Sequence, residues 1–235
     1  MNWLRRLDPD VHVVLPDGSR RALAEYLLPS SLMMLAGLLL TISIFLPYWS
    51  MTLEAPQYPK GLRVDVHVNR LVGDVREIDA LNHYLGMPSL NEGGVLERSI
   101  SILAVVVLAA LLVAGVFVHN RWAGILAIPA LLFPLMFLAD LAWILYRYGH
   151  AIDPNSPLGK AIDPFMPPLI GAGKVGQFST VARLEIGWWV ACVAVVVVLI
   201  GLWYHRAAYR PIVEARRRLA AASSPSNINR ESVLL

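Results

Sequence analysis

The sequence predicts an all-α membrane protein, with four transmembrane helices and a small α+β extracytoplasmic cap built from two outer loops. Three observations lead there. The chain has 235 residues, 57% hydrophobic and only 16% charged, where a soluble domain carries about 25% charged residues. Charges are nearly absent from four windows and crowded between them. The two long connections mix turn residues, strand and helix patterns and ionisable side chains, whereas plain tethers are short or simple in composition.

Composition also excludes several classes. Cys192 is the one cysteine, so an internal disulfide and any metal site on paired thiolates are ruled out. A metal site would have to use His, Met and carboxylates. The net charge of +3 reports membrane topology rather than a nucleic-acid partner. The chain carries no nucleophile elbow, no phosphate-binding glycine loop and no zinc-protease HExxH motif. No pair of histidines is placed in opposing spans as haem ligation requires. Nothing in these patterns specifies an enzyme.

Residues 1–30 form a cytoplasmic N-terminal segment. Arg5 and Arg6 are followed by Asp8, Asp10 and Asp17 rather than an apolar core, which is not the pattern of a cleaved signal. Residues 11–15 read as a short strand and 16–19 as a turn. Residues 20–28 read either as a short amphipathic helix on the membrane surface or as an ordered lead-in. The first span covers 31–49. Ser30 and Ser31 are placed to cap it, Pro47 ends it, and Tyr48 and Trp49 suit an interfacial aromatic belt.

Outer loop 1 covers 50–99. The second span, 100–118, holds no charge, and His119-Asn120-Arg121 connects it tightly to the third, 122–146. Pro129 and Pro134 predict a bend in that helix. Outer loop 2 covers 147–185, and the last span 186–204. Residues 205–235 are a basic tail, with Arg216-Arg217-Arg218 followed by a Ser-, Asn- and Pro-containing stretch whose composition argues for disorder. Arg5, Arg6, Arg20, Arg21, Arg121, Arg206 and Arg210 all flank one side of a four-span layout. That side is cytoplasmic by the positive-inside rule. Both termini are then inside, and the two long loops share the outer face.

Loop 1 carries most of the local pattern. Leu62, Val64, Val66 and Val68 alternate with Arg63, Asp65, His67 and Asn69, a half-exposed strand with His67 on its polar face. Val75, Ile78, Leu81 and Leu85 recur at helical spacing, predicting a helix over 74–85 that stops at Gly86. Asp74 and Glu77 have capping-box spacing. Asp79 and His83 share one face of that helix, and Met87 lies just beyond it. His83, Met87 and His150 form a candidate metal set, since imidazole with thioether and no thiolate suits copper. Met166, Met51 and His67 are the other available ligands. The competing reading has His83 donating to a loop carbonyl and Met87 filling a packing gap. Asp140 interrupts the third span, and such residues are functional candidates. Arg147, seven residues on along the same face, or an outer-loop donor is its expected partner. Cys192, Ser43 and Thr41 read as helix-packing residues.

The words Ala55-Pro56-Gln57-Tyr58-Pro59-x-Gly61-Leu62, Gly73-Asp74-Val75 and Leu81-Asn82-His83-Tyr84-Leu85-Gly86-Met87 resemble a family of small bacterial membrane proteins. Tyr148-Gly149-His150-x-x-Asp153-Pro154-Asn155 and Pro167-Pro168-Leu169-Ile170-Gly171 are similar to the same family. Its members tend to be encoded with nitrous oxide reductase and its copper-maturation proteins. The resemblance covers roughly residues 30–205 and carries over context rather than catalytic residues. It implies a multi-pass protein of the bacterial cytoplasmic membrane, active in denitrification. Such a protein assists maturation, copper supply or docking of a periplasmic copper or redox enzyme. Tyr58, Asp79, Asn82, Tyr84 and Asp153 are the expected docking residues, and the partners are the lipid bilayer and a periplasmic redox or maturation protein. Two alternatives stay open: a membrane anchor seating a periplasmic cytochrome, and a small-solute transporter subunit, which four spans would build only as an oligomer.

Overall fold

The computed structural model describes residues 12–14, 20–22, 24–118, 122–157, 159–161, 163–175 and 178–222. In chain order the elements are β1 (His12–Val14), β2 (Arg20–Ala22), α1 (Ala24–Ser43), β3 (Trp49–Ala55), β4 (Tyr58–Val66), β5 (Leu71–Gly73), α2 (Val75–Leu85), α3 (Val95–Phe117), α4 (Trp122–His150), β6 (Gly171–Val175), β7 (Phe178–Leu184) and α5 (Ile186–Ala222). The protein is mostly helical, with a small antiparallel sheet. Among the described residues, three helices are long and apolar enough to cross a membrane: α3, α4 and residues Ile186–Ala208 of α5.

The first helix departs from expectation. It begins at Ala24, so Pro29 lies inside it and Ser31 does not cap it. Instead the Ser31 hydroxyl donates back to the carbonyls of Leu27 and Leu28, the usual fate of a serine within a helix. The helix ends at Ser43 rather than running to Trp49. Leu46 N–H closes onto Ser43 O at 3.1 Å and Tyr48 N–H pairs with Val66 O at 2.8 Å, which carries the chain out of the helix and into the sheet. The apolar stretch Leu27–Ser43 therefore rises about 25 Å, against a hydrocarbon layer of about 30 Å.

The chain forms two compact units. The first comprises Met1–Ala36, Leu111–Ile128 and Val196–Leu235. In it β1 pairs antiparallel with β2, His12 opposite Ala22, so residues 20–22 form a strand where a helix or lead-in was expected. Ala36, Ala123 and Ala127 are buried and Gly201 lies against Leu32 and Met33, small residues that let helices approach closely. Helix α5 does not stop at Tyr204 but continues to Ala222, through the basic run Arg216-Arg217-Arg218. Residues 223–235 and the 119–121 connection lie outside the described residues.

The second unit, Gly37–Ala110 and Pro129–Val195, contains the cap. Its sheet has five strands in the order β5-β4-β3-β7-β6, all pairs antiparallel. Loop 1 supplies β3, β4 and β5, and loop 2 supplies β6 and β7. The central pairing is Trp49 to Glu54 of β3 against Leu184 to Ser179 of β7. Alternation decides the faces. Leu53, Leu62, Val64, Phe178 and Ala182 are buried on the inner face. Ile78 and Leu85 of α2 complete one core cluster there, and Leu141 and Leu145 of α4 complete another with Trp49 and Ala182. The sheet thus packs on α2 and on the end of α4 at once.

Candidate docking face and cavity

Helix α2 spans Val75–Leu85 and stops where the sequence places its stop. Gly86 adopts φ 78°, and the amide of Met87 closes onto Asn82 O at 2.8 Å. Asp74 holds the expected N-cap position, but its side chain makes no capping hydrogen bond. Asp74 continues the ladder instead, its N–H donating to Arg63 O and its Oδ2 accepting from Arg63 N–H, both at 2.8 Å. The edge strand's need for a partner outcompetes the helix terminus.

Loop 2 is fastened to this helix end. Asp153 N–H donates to Gly86 O at 2.8 Å, and a side chain on Gly86 would overlap Ser156 and Asp153. Farther along, Trp49 Nε1 donates to Leu169 O at 2.6 Å. The hydroxyl of Tyr148 donates to Ser89 O.

These joints engage several of the residues read from sequence as a docking set. Asp79 accepts from the Ser89 hydroxyl and from Leu90 N–H, each at 2.7 Å. Asn82 is buried, and Tyr58 is half-buried against the inner-face core. Asp153 turns its Oδ1 onto Asn155 N–H at 2.8 Å. Tyr84, by contrast, is 60% exposed. It shares the open face of α2 with Arg76, Glu77, Ala80 and His83.

The candidate metal residues have separate neighbours. His83 is exposed with its ring edge-on to Tyr84, centroids 6.5 Å apart. Met87 packs against the inner-face core. His150 stacks on Tyr146 at 4.0 Å, with Nδ1 2.8 Å from that residue's carbonyl oxygen. Among the described residues, no three His, Cys, Asp or Glu side chains gather as a metal site. Of the other ligands considered, Met166 is exposed while Met51 and His67 are turned inward.

The sheet's outer face holds a polar chain that the sequence reading missed. Glu185 Oε1 accepts from the Ser50 hydroxyl at 2.6 Å and from the Arg63 guanidinium at 2.9 Å, and Arg63 also donates to Asp65 at 2.8 Å. These carboxylates hold the Arg63 proton more tightly than usual.

Beneath the inner face lies a cavity of about 510 Å³. Sheet residues such as Met51 and Val64 roof it, and Leu108 of α3 with Phe133 and Ile144 of α4 wall it. Asp140 lines it too. Asp140 makes no ion pair with Arg147, which is exposed near the helix end. Seven residues separate the two by roughly 10 Å of helical rise, too far for a pair once Asp140 turns to the cavity.

His67 also lines the cavity and is only 8% exposed, contrary to its expected place on a polar face. The strand ends at Val66, and His67 N–H closes a turn onto Arg70 O at 2.9 Å. The two-residue alternation is lost there, and the imidazole swings inward. Burial, reinforced by the Arg70 charge, lowers its pKa. The folded protein therefore binds that proton less readily than the unfolded chain. Stability should be full above the ordinary histidine pKa of about 6.5 and fall as pH drops through and below it. Thermal melts from pH 7.5 to 5 should show a decline that His67→Phe flattens. An equal decline in both proteins would assign it elsewhere.

No known protein family, curated protein or solved structure matches this chain.

Proposed function

We propose that this is a non-enzymatic integral membrane accessory protein whose cap docks a periplasmic copper or redox enzyme, in the nitrous oxide reductase setting that the resemblance implies. One observation carries the reading. Two loops far apart in sequence build one sheet, and that sheet holds α2 with Arg76, Ala80, His83 and Tyr84 outward. A tyrosine and a histidine on a rigid, otherwise polar helix face suit recognition, since aromatic anchors dominate binding energy.

Four of the helices adjoin the cap segments along the chain: α1 leads into β3, β7 leads into α5, α4 ends in loop 2, and α3 begins after α2. This supports α1 as a fourth, short span, to which the bilayer adapts by local thinning. Both termini are then cytoplasmic in a bacterial inner membrane. Docking is favoured over copper storage because His83, Met87 and His150 each have their own neighbours.

The test is isolation from native membranes with identification of bound proteins and metal analysis. The wild-type protein should retain a copper or redox protein, and His83→Ala with Tyr84→Ala should lose at least tenfold of it while the cap stays folded. Replacing His83, Met87 and His150 together should leave the copper content of the purified protein unchanged. Wild-type retention by the double variant would remove α2 as the docking face. Copper lost from the purified triple variant would restore the metal role.

A further inference from the structure

Protein interiors leave few voids larger than a water molecule. The cavity of about 510 Å³ under the sheet lies instead within the range of small-molecule sites, about 300–1,000 Å³. Its lining is dominated by Leu, Met, Phe and Val side chains, a poor setting for ordered water.

The entrance is marked by lining residues that keep exposed surface. Ile100 and Ala104 of α3 and Met136 of α4 do so, with the exposed Glu97 at the start of α3 beside them. Both helices are apolar enough to cross a membrane, so the mouth opens on the apolar flank of the spans rather than on the polar outer face of the sheet.

Two buried polar atoms on the lining have no hydrogen-bond partner: Thr180 Oγ1 and His67 Nδ1. Thr180 has no surface that a water molecule reaches, so an occupant meets its hydroxyl only as neighbouring lining side chains give way. Leaving such an atom bare is costly, and it calls for a specific partner. Thr180 stands opposite Leu53, and Val66, just before His67, stands opposite Trp49. Those positions are four residues apart on β3, or roughly 13 Å, so one small head group meets one of the two atoms.

The charge on the lining selects the head group. Glu97 and Asp140 are both there. The third charged residue, Arg98, spends its guanidinium on the carbonyls of Asn91 and Gly94. An anionic head would face two carboxylates with the one cation already engaged.

We propose that this cavity binds a neutral lipid, a long hydrocarbon tail with an uncharged hydroxyl- or carbonyl-bearing head, which enters laterally between α3 and α4 and meets the Thr180 hydroxyl. A monoacylglycerol and a lipid-soluble quinone share that chemistry. The cavity meets the buried side of α2, through Ile78, Asn82 and Leu85, and not its docking face.

Trp49 lines the cavity and is 2% exposed, so its fluorescence reports on the occupant. The full chain in lipid nanodiscs is titrated with dibrominated monoacylglycerol or with dibrominated phosphatidylglycerol of the same acyl chain. Trp49→Phe is subtracted to isolate the signal. The neutral probe should quench several-fold more than the anionic one. Ala104→Phe at the mouth should bring the neutral probe down to the anionic level, and Thr180→Val should weaken its binding at least fivefold. Displacement of the neutral probe by decylubiquinone identifies a quinone site, and binding that resists displacement identifies an acylglycerol site. Equal quenching by the two probes, no quenching by either, or full binding in both variants would overturn the proposal.

Discussion

Replacing Gly149 with alanine is expected to destabilise the cap by about 3 kcal/mol, at the upper end for overpacking. Gly149 lies in the last turn of α4 and is buried. Its carbonyl accepts the Phe165 N–H at 3.1 Å, and a Cβ there would overlap the Phe165 carbonyl oxygen and press on Pro167. The obstacle is backbone, so no rotamer change relieves it. Helix propensity pulls the other way, since alanine beats glycine within a helix by roughly 0.5–1 kcal/mol. Gly124 in the same helix separates the two effects, because nothing lies within 4 Å of a Cβ built there. Gly124→Ala should be neutral or slightly stabilising, while Gly149→Ala should lower the melting temperature and open residues 151–170 to limited proteolysis. Matching melts and digestion patterns for the two variants would refute the tight joint between α4 and loop 2.

The same joint shows what could be read from sequence and what could not. Helix α2 was legible to its last residue because its evidence is local: Val75, Ile78, Leu81 and Leu85 set the period, and Gly86 adopts the positive φ that favours glycine. The alternation from Leu62 to Val66 gave β4 for the same reason. Strand β3 carries an equally clear alternation, with Trp49, Met51, Leu53 and Ala55 inward against Ser50, Thr52 and Glu54. It was hidden because it follows an apolar helix almost without a break, so Tyr48 and Trp49 looked like an interfacial belt. Strand β7 has a weaker pattern, and its place in the sheet comes from pairing with β3, well over a hundred residues away. No local signal encodes such a partner.

The candidate site divides along the same line. That Asp79 and His83 share a helical face followed from spacing. That Ser89 and Leu90 take both oxygens of Asp79 depended on how the chain returns after Gly86. The distinctive loop words contain residues suited to recognition and residues suited to holding two loops together. Asn82, Gly86 and Asp153 belong to the second kind; Tyr84 is free for the first. The cavity was invisible because its lining comes from the sheet, α2, α3 and α4 together.

Tyr48→Ala should be the most damaging single change in the cap, costing about 3–5 kcal/mol, the usual loss for a buried aromatic cut to alanine. Tyr48 has no exposed surface. Its ring packs on Phe137 at 4.8 Å and Phe133 at 6.0 Å, and Gly187 leaves room for it. Its backbone bonds to Val66 O at 2.8 Å and receives Glu185 N–H at 3.0 Å. Removing the ring therefore loosens the start of β3 and the start of α5 together. Tyr48→Phe is the milder counterpart. It loses the 2.7 Å hydrogen bond to Ser43 Oγ, but that hydroxyl keeps its 2.6 Å bond to Leu40 O, so the cost should be about 1 kcal/mol. The two variants differ further at high pH. Burial pushes the Tyr48 phenol up to about 12, above its ordinary value near 10. The unfolded chain releases that proton first, so stability should fall as pH rises through and above about 10. Melts at pH 8 and pH 11 should show a gap between wild type and Tyr48→Phe that narrows at the higher pH. A constant gap would mean that the phenol is not buried as described, and a Tyr48→Ala protein as stable as wild type would mean that the ring does not anchor the cap.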